Sequence, residues 1–194
     1  SGTSTLSYAD LHDQGTGFAI SGGKTILRAS FIHDMSSKGI WNAGGDVTIV
    51  SSTIATTTTY GIYQTAGILS PSSANKIQHT IYGIYYAGGT INYIDVTDIS
   101  YNTYGVYINH SGGGGIMVEA SNIHDNTYGV WINAKPSGYA IIQSNIIQNN
   151  SSGGAYNNTV DEVDARRNFW GASDGPSGFG PGSGDSVTDD IDYS

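Results

Sequence analysis

The chain has 194 residues, enough for one ordinary domain, and only 12% of them are charged. Its 28 glycines and 14 tyrosines exclude a disordered chain, which is rich in charge and poor in aromatic residues, and they also exclude a helix-rich protein. The net charge of −9 disfavours nucleic acid and an anionic membrane surface as partners.

A glycine followed by an aliphatic and then an aromatic residue recurs along the chain. It occurs in Gly39-Ile40-Trp41, Gly61-Ile62-Tyr63, Gly83-Ile84-Tyr85, Gly105-Val106-Tyr107 and Gly129-Val130-Trp131. With Gly17 before this series and Gly153 after it, the glycine spacings are 22, 22, 22, 22, 24 and 24 residues. So constant a period indicates a repeat protein in which each unit packs on the next.

Each unit holds two further apolar segments. One is exemplified by Thr25-Ile26-Leu27, and the other by Ile32-His33-Asp34, in which an aliphatic residue precedes polar ones. Three short β-like segments joined by Gly, Asn, Ser and Thr corners are typical of one coil of a parallel β-helix. We therefore predict an all-β fold, a single-stranded right-handed parallel β-helix of about seven coils stacked ~4.8 Å apart. Each coil would have 22–24 residues and three short strands, with the extra residues bulging near 112–115 and 135–138.

The pattern breaks near the end of the chain, where an acidic segment follows Trp170. We predict β-helix coils over residues 1–156, then a last coil and a C-terminal cap over 157–194. Phe169 and Trp170 are expected to cover the open end of the core, which would otherwise pair with other chains. The incomplete first coil and the start at Ser1 without a signal peptide predict flanking domains of a longer protein.

The stretch Asn122-Ile123-His124-Asp125-Asn126-Thr127-Tyr128-Gly129-Val130 resembles the repeats of pectin-lyase-like β-helices, which include carbohydrate-binding proteins and sugar hydrolases. Residues 168–176, which read Asn-Phe-Trp-Gly and end in Gly-Pro, resemble the ending of many prokaryotic surface proteins with such repeats. The resemblance implies an exported bacterial protein, extracellular or at the cell surface, that meets polysaccharide. The fold itself hosts lyases, hydrolases and epimerases as well as non-catalytic modules.

The residue after each repeated Ile or Val is aromatic, and strand alternation points it outward when the aliphatic residue points inward. This predicts an exposed row roughly 25 Å long, made of Trp41, Tyr63, Tyr85, Tyr107, Trp131 and Tyr156. Aromatic faces suit the apolar faces of sugar rings, so we expect these residues to bind an extended glycan. The alternatives are stacking that only stabilises the solenoid and packing against another protein.

A second aromatic series precedes the glycines and consists of Tyr60, Tyr82, Tyr104 and Tyr128. Strict alternation places these residues on the inward side, although a corner lies close by. We expect half-buried packing residues whose hydroxyl groups reach water.

Asp95 and Glu119 are the candidate catalytic residues of an alternative function. They stand at equivalent positions of neighbouring coils, in a row with Arg28, Val50 and Ser73. Outward-pointing carboxylates would lie within ~5–6 Å of each other, close to the separation in retaining glycosidases, and could also bind calcium. The alternative interpretation is two solvated acids one coil apart.

Three His-Asp dipeptides, beginning at His12, His33 and His124, offer the side chains of a general base or a metal ligand. Adjacent residues of a strand point to opposite faces, which favours a structural corner instead. Two stacked polar rows are also predicted: Asn122, Asn145 and Asn168 in one, and Ser30, Ser52, Thr97 and Ser121 in the other.

The leading hypothesis is a polysaccharide-binding module without evident catalysis, because no lyase or polygalacturonase motif of the family is present. The alternatives are a carbohydrate-active enzyme (a glycoside hydrolase or polysaccharide lyase) and an architectural adhesin or stalk segment. No cofactor is expected, calcium being the one candidate. The absence of cysteine excludes disulfides, and no apolar run approaches the ~18 residues that membrane insertion needs.

Overall fold

The computed structural model describes residues 2–194, and over these residues the chain forms β-strands and no helix. In chain order the strands are β1 (Thr3–Ser7), β2 (Asp10–Leu11), β3 (Thr16–Ile20), β4 (Lys24–Arg28), β5 (Phe31–His33), β6 (Lys38–Val50), β7 (Thr53–Ala55), β8 (Tyr60–Ser72), β9 (Asn75–Gln78), β10 (Tyr82–Tyr86), β11 (Thr90–Asp95), β12 (Thr97–Ser100), β13 (Tyr104–Asn109), β14 (Gly115–Glu119), β15 (Asn122–His124), β16 (Tyr128–Ala134), β17 (Tyr139–Gln143), β18 (Ile146–Gln148), β19 (Gly153–Asn157), β20 (Val163–Asp164), β21 (Pro176–Gly178), β22 (Gly184–Val187) and β23 (Ile191–Asp192). Within this part of the chain there is accordingly no helix that could span a membrane.

The strands wind into a right-handed parallel β-helix of about seven turns, as the repeat predicts. The first face carries β3, β10, β13, β16 and β19, the second face carries β4, β11, β14, β17 and β20, and the third face is a seven-stranded sheet from β2 to β18. β6 and β8 run through the corner between the first and second faces and join them into one 16-stranded sheet. Their coils therefore have two strands instead of the predicted three.

Aliphatic residues from all three faces meet in one continuous core. On the third face six of the seven strands each contribute one isoleucine with no exposed surface: Ile32, Ile54, Ile77, Ile99, Ile123 and Ile147. These residues pair in register from coil to coil, so each stacks on its own equivalents. Each fully buried isoleucine contributes roughly 1.5–3 kcal/mol, so this row alone is a large part of the hydrophobic stabilisation.

The longer repeats place their extra residues where the sequence predicts. β13 ends at Asn109 and β14 begins at Gly115, and the link between them is longer than the one between β10 and β11. The same corner one coil later spans residues 135–138, between β16 and β17. The register shift between Ile108 and Asn109 marks the point where the bulge begins.

At two corners of the later coils, a residue with a left-handed backbone directly precedes a buried hydrogen-bonding residue. Ala120 has φ 48° and precedes Ser121, whereas Asp125 has φ 53° and precedes Asn126. A left-handed backbone costs roughly 1–2 kcal/mol in a residue other than glycine. The buried polar side chain that follows offsets this cost by satisfying backbone groups of two coils.

At the corner between the third and first faces these buried residues form an asparagine row. The backbone N–H groups of Thr80, Asn102 and Asn126 each donate to the Oδ1 atom of the next residue in the row, at 3.0–3.1 Å. Asn150, the last asparagine, donates instead to Asp185 Oδ2, at 2.9 Å from its backbone nitrogen and 2.7 Å from Nδ2. Asp185 thus ends the row, and its carboxyl has a raised pKa, chiefly because it is buried.

The other predicted polar rows need one correction. Asn145 and Asn168 lie at the corner between the second and third faces, where they continue the row of Ser30, Ser52, Asn75, Thr97 and Ser121. Asn122 is not part of either row, because it pairs with Ile146 on the outer side of the third face. The predicted register is wrong by one residue here. A shift of one residue in a strand moves the side chain to the opposite side.

The C-terminal segment continues the stack. β22 pairs with β19, and β20 pairs with both β17 and β23. Trp170 lies buried at the end of the core, as predicted, but Phe169 is 44% exposed and pairs with Ile146 on the outer side. The division of the chain at residue 157 stays a prediction.

The repeated glycine lies where the chain enters the first face, at a close approach of neighbouring coils. A Cβ atom added to Gly83 would lie 2.5 Å from the carbonyl oxygen of Gly105, and one added to Gly105 would lie 2.6 Å from that of Gly129. No larger residue fits there without moving the backbone. In the last repeat Gly154 rather than Gly153 holds this position, since a Cβ on Gly129 would meet the carbonyl oxygen of Gly154.

Gly83→Ala is expected to lower the free energy of unfolding by about 1–3 kcal/mol, the usual cost of forcing a methyl group into a packed interior. Urea unfolding followed by circular dichroism measures the change. Gly113→Ala is the matched control, because a Cβ atom there meets nothing within 4 Å. Equal destabilisation of the two variants would contradict the close-approach explanation.

Asn126→Ala is expected to destabilise the fold by about 1–3 kcal/mol, because it leaves buried donors and an acceptor without partners. Asn126 Oδ1 accepts from the backbone nitrogen and Nδ2 of Asn102, both at 3.0 Å, and its Nδ2 donates to the Ile99 carbonyl at 3.0 Å. The exposed Asn133 supplies the control Asn133→Ala, whose melting temperature should change little. An unchanged melting temperature for Asn126→Ala would show that the row does not stabilise the corner.

Candidate functional site

The first aromatic row has the register that the sequence predicts. Its members pair from coil to coil on the first face: Trp41, Tyr63, Tyr85, Tyr107, Trp131 and Tyr156. Trp41 is 37% exposed and the other five side chains are half-buried. The aliphatic residue before each ring is buried in the core, which fixes the ring on the outer side.

The second aromatic row lies on the same outer surface rather than toward the core. Tyr60, Tyr82, Tyr104 and Tyr128 are half-buried, as expected, but their rings contact those of the first row. The two rings of a coil are three residues apart, as in Tyr60 and Tyr63, so strict alternation fails across the buried glycine between them. Both rings of a coil consequently face the same side, and the two rows form one surface, here called the aromatic surface.

The rings of the second row are parallel and offset. Tyr60 and Tyr82, Tyr82 and Tyr104, and Tyr104 and Tyr128 have centroid distances of 5.4, 5.2 and 5.4 Å, with interplanar angles of 18°, 10° and 12°. Stacked carbon atoms approach to about 3.5–4.0 Å, so rings this far apart overlap only in part. Neighbours within the row therefore cover each ring face only in part.

The first row is less regular. Tyr85 and Tyr107 are stacked with a centroid distance of 5.0 Å, whereas Tyr63 and Tyr85 meet edge to face at 5.5 Å. Trp131 and Tyr156 are stacked at 4.0 Å with an interplanar angle of 9°. Such pairs contribute about 0.5–1.5 kcal/mol beyond their buried area, so the rows also stabilise the coils that carry them.

Burial and the neighbouring tyrosines raise the pKa of the Tyr60, Tyr82 and Tyr107 hydroxyl groups. These hydroxyls are therefore uncharged at neutral pH, and each can donate and accept a hydrogen bond. The aromatic surface thus combines apolar faces with neutral hydroxyl groups.

A cation lies at the N-terminal end of the aromatic surface, at a position that the sequence reasoning did not single out. Lys38 pairs with Tyr60 in the register, and its Nζ lies 5.6, 5.9 and 5.7 Å from the ring centroids of Trp41, Tyr60 and Tyr63. It holds the place that tyrosine has in the following coils. The sequence did contain a signal for this position, because Lys38 precedes Trp41 by three residues just as Tyr60 precedes Tyr63.

An amide row borders the C-terminal half of the aromatic surface and was also missed. Asn109, Asn133 and Asn158 each lie two residues after a ring of the first row, so alternation points them to the same outer side. Asn109 Nδ2 donates to the Tyr85 hydroxyl at 2.7 Å, and Asn133 Nδ2 donates to Asn109 Oδ1 at 3.0 Å. Asn158 continues the row with a longer contact of 3.4 Å to Asn133 Oδ1.

Asp95 and Glu119 occupy partnered positions on β11 and β14, with both side chains half-buried. Within residues 2–194 no ion pair joins either carboxylate to a basic side chain. They lie on the second face, apart from the aromatic surface on the first. Further along this predicted row, Val50 pairs with Ser72 rather than with Ser73.

Adjacent histidine and aspartate side chains do meet, contrary to the expectation that they point to opposite faces. The histidine Nδ1 and aspartate Oδ2 atoms are 2.8, 2.6 and 2.7 Å apart in His12–Asp13, His33–Asp34 and His124–Asp125. Each aspartate has a left-handed backbone, with φ of 52–56°, which turns its side chain back toward the histidine. Alternation applies only to extended residues.

His33 has carboxylates at both ring nitrogens, since its Nε2 atom lies 3.0 Å from Asp10 Oδ1. The hydrogen bond to Asp34 raises the pKa of His33, with a smaller contribution from Asp10, against partial burial. His124 is similarly placed, with Nε2 3.4 Å from Asp98 Oδ2. These contacts occupy the ring nitrogens, and they fit the structural role that the sequence favours.

At the C-terminal end, Arg166 forms ion pairs with Asp164 and Asp192, at 2.8 and 3.4 Å. Its guanidinium group holds the pKa of Asp164 well below the usual range. Across residues 2–194, no three His, Asp or Glu side chains converge as a metal site would require.

Comparison of the chain with protein-family models, with curated proteins and with solved structures found no match.

Asp34→Asn is expected to lower the pKa of His33, which an NMR titration of its ring protons would measure. Asparagine also tolerates the left-handed backbone, so the corner should persist. Asp46→Asn removes the same charge from the second face, where Asp46 pairs with Lys24, and should leave the His33 pKa nearly unchanged.

The same pair makes stability depend on pH. Because the pKa of His33 is raised in the folded state, the stabilisation is fully present below about pH 6.5, the pKa of an unperturbed histidine. It is lost as the pH rises through the folded-state pKa. The stability difference between the original chain and Asp34→Asn should therefore shrink over that interval, and a difference that grows with pH would contradict the assignment.

Proposed function

We propose that this protein is a polysaccharide-binding module without catalytic activity, and that the aromatic surface is its binding site. The observation that carries the proposal is the union of two aromatic rows into one partly exposed surface over six consecutive coils. Large exposed apolar surfaces are uncommon on monomers and mark contact sites.

The chemistry of this surface suits sugars better than an apolar protein partner. Partly uncovered ring faces can pack on the apolar faces of sugar rings, while neutral tyrosine hydroxyls hydrogen-bond sugar hydroxyls. The linear arrangement along the solenoid axis suits a chain ligand rather than a small molecule. Because stacking already restricts the rotamers of these half-buried rings, ligand binding costs less side-chain entropy.

The resemblance to pectin-lyase-like repeats and to the ending of prokaryotic surface proteins supports the same proposal. On this basis we propose that the protein lies outside a bacterial cell or on its surface. The carboxylates of Asp95 and Glu119 lie on the second face, away from the aromatic surface, so a glycan bound along the rings would not meet them. The proposed binding requires neither catalysis nor calcium.

Trp131→Ala is expected to weaken polysaccharide binding about tenfold or more, because Trp131 lies between Tyr128 and Tyr156 in the aromatic surface. Isothermal titration with a panel of soluble polysaccharides, and co-sedimentation with insoluble ones, measure the change. Tyr93→Ala is the matched control, since Tyr93 is an exposed aromatic residue on the second face. Circular dichroism checks that both variants remain folded.

Reducing-sugar release is assayed in the same samples and should be absent. Sugar release that persists in Trp131→Ala but disappears in Asp95→Ala or Glu119→Ala would show that the protein is an enzyme rather than a binding module. The absence of both polysaccharide binding and sugar release would favour the alternative function of an architectural segment. Equal loss of binding in Trp131→Ala and Tyr93→Ala would show that the aromatic surface is not the site.

A further inference from the structure

The spacing of the rings is nearly constant over the central coils of the aromatic surface, whereas Trp131 and Tyr156 at its C-terminal end approach to 4.0 Å. The centroid distances between successive coils are 5.4, 5.2 and 5.4 Å in the second row, and 5.5 and 5.0 Å for Tyr63 to Tyr85 and Tyr85 to Tyr107. This interval is imposed by the parallel strands, whose separation is about 4.8 Å. A ligand that contacts every coil must itself be straight, with successive units spaced at close to this length.

Extended β-1,4-linked chains of glucose, xylose or N-acetylglucosamine meet this requirement. Both bonds that link each ring to its neighbours are equatorial, so the chain runs nearly straight and its sugars follow one another at about the spacing of one parallel strand. An α-1,4-linked glucose chain has an axial bond at each link and coils, and a β-1,3-linked glucose chain also curves. Either would leave the line of rings after a few residues.

The amide row supplies hydrogen bonds at the same interval. Asn133 and Asn158 are exposed and Asn109 is half-buried, and successive coils carry one amide each beside the ring of the first row. Their mutual hydrogen bonds run in one direction, from Asn158 to Asn133 to Asn109 and on to Tyr85. Each amide is thereby oriented in advance and keeps further donor or acceptor capacity for a ligand hydroxyl.

The charge of the surface favours an uncharged ligand. Among the positions that pair in the two aromatic rows, from Lys38 and Trp41 onward, Lys38 is the one charged residue, and it lies at the N-terminal end. The net charge of the whole chain is −9. A polyanionic glycan would be repelled by this charge along most of its length, because no cation accompanies it from coil to coil.

We infer that the aromatic surface binds a straight, neutral, β-1,4-linked polysaccharide parallel to the solenoid axis, with one sugar per coil. The rings of the two rows contact the sugar faces, and the row of Asn109, Asn133 and Asn158 hydrogen-bonds hydroxyl groups along one edge of the chain. This inference rests on the proposed function and names its ligand class.

Isothermal titration with matched hexasaccharides tests the linkage. Cellohexaose, xylohexaose and the hexamer of N-acetylglucosamine share the β-1,4 linkage, whereas maltohexaose is α-1,4-linked and laminarihexaose is β-1,3-linked. We expect at least one β-1,4 hexamer to bind tenfold or more tightly than both of the others. For that series the affinity should rise with each added sugar from the dimer to the hexamer, as successive coils are occupied.

The amide row is tested with Asn133→Ala, expected to weaken binding of the preferred hexamer about fivefold or more while the fold is kept. The control is Asn92→Ala, because Asn92 is an exposed asparagine on the second face. Equal binding by the two variants would overturn the assigned role of the amides.

The outcomes separate this inference from the proposed function. Binding of maltohexaose or laminarihexaose as tight as that of every β-1,4 hexamer, or binding of other polysaccharides only, would overturn the ligand class and leave glycan binding intact. The absence of binding to every glycan tested would overturn both.

Discussion

Parallel strands stacked in register are the constraint on which the rest of this structure depends. Apart from its neighbours along the chain, a strand residue lies closest to the equivalent residue of the next coil, about 4.8 Å away. A position is therefore occupied by residues that pack well on copies of themselves: isoleucine inside the third face, tyrosine on the outer surface of the first, and asparagine at a corner. The repeated glycine follows from the same constraint, because the coils approach too closely at Gly83 for a Cβ atom.

The corners show how the fold tolerates unfavourable local backbone. Val96 is β-branched and has φ 46°, a conformation that its side chain disfavours in isolation. The next residue, Thr97, is buried and donates from Oγ1 to the Asp95 carbonyl at 3.0 Å, while its backbone nitrogen donates to Ser121. The same arrangement recurs at this corner in Ser30, Ser52 and Ser121, so the cost and its compensation are repeated together. At the C-terminal end, Asp185 takes the place of the next asparagine and closes the row.

The candidate site arises from this stacking as well. A ring that stacks on its equivalents stabilises the solenoid, and the part of its face left uncovered is available to a ligand with the same repeat. Structural stacking and ligand binding are thus not exclusive at Tyr82 or Tyr104, whose rings do the first and whose uncovered edges permit the second. The amide row orients its side chains, because the hydrogen bonds donated by Asn133 to Asn109 and by Asn109 to Tyr85 run in the same direction along the solenoid.

Period and residue type by themselves determined the parallel β-helix, the register of the row from Trp41 to Tyr156 and the buried position of Trp170. These features depend on residues at constant spacing, which a sequence displays directly. Only the tertiary structure decided which side Tyr60 faces, that His33 meets Asp34, and that Asn102 and Asn126 form a row from which Asn122 is absent. Each of these depends on a local break in strand alternation, at a close-packed glycine or at a residue with a left-handed backbone. Histidine, alanine and valine adopt that backbone here because the neighbouring coils compensate it, and that compensation comes from residues more than 20 positions away in the chain.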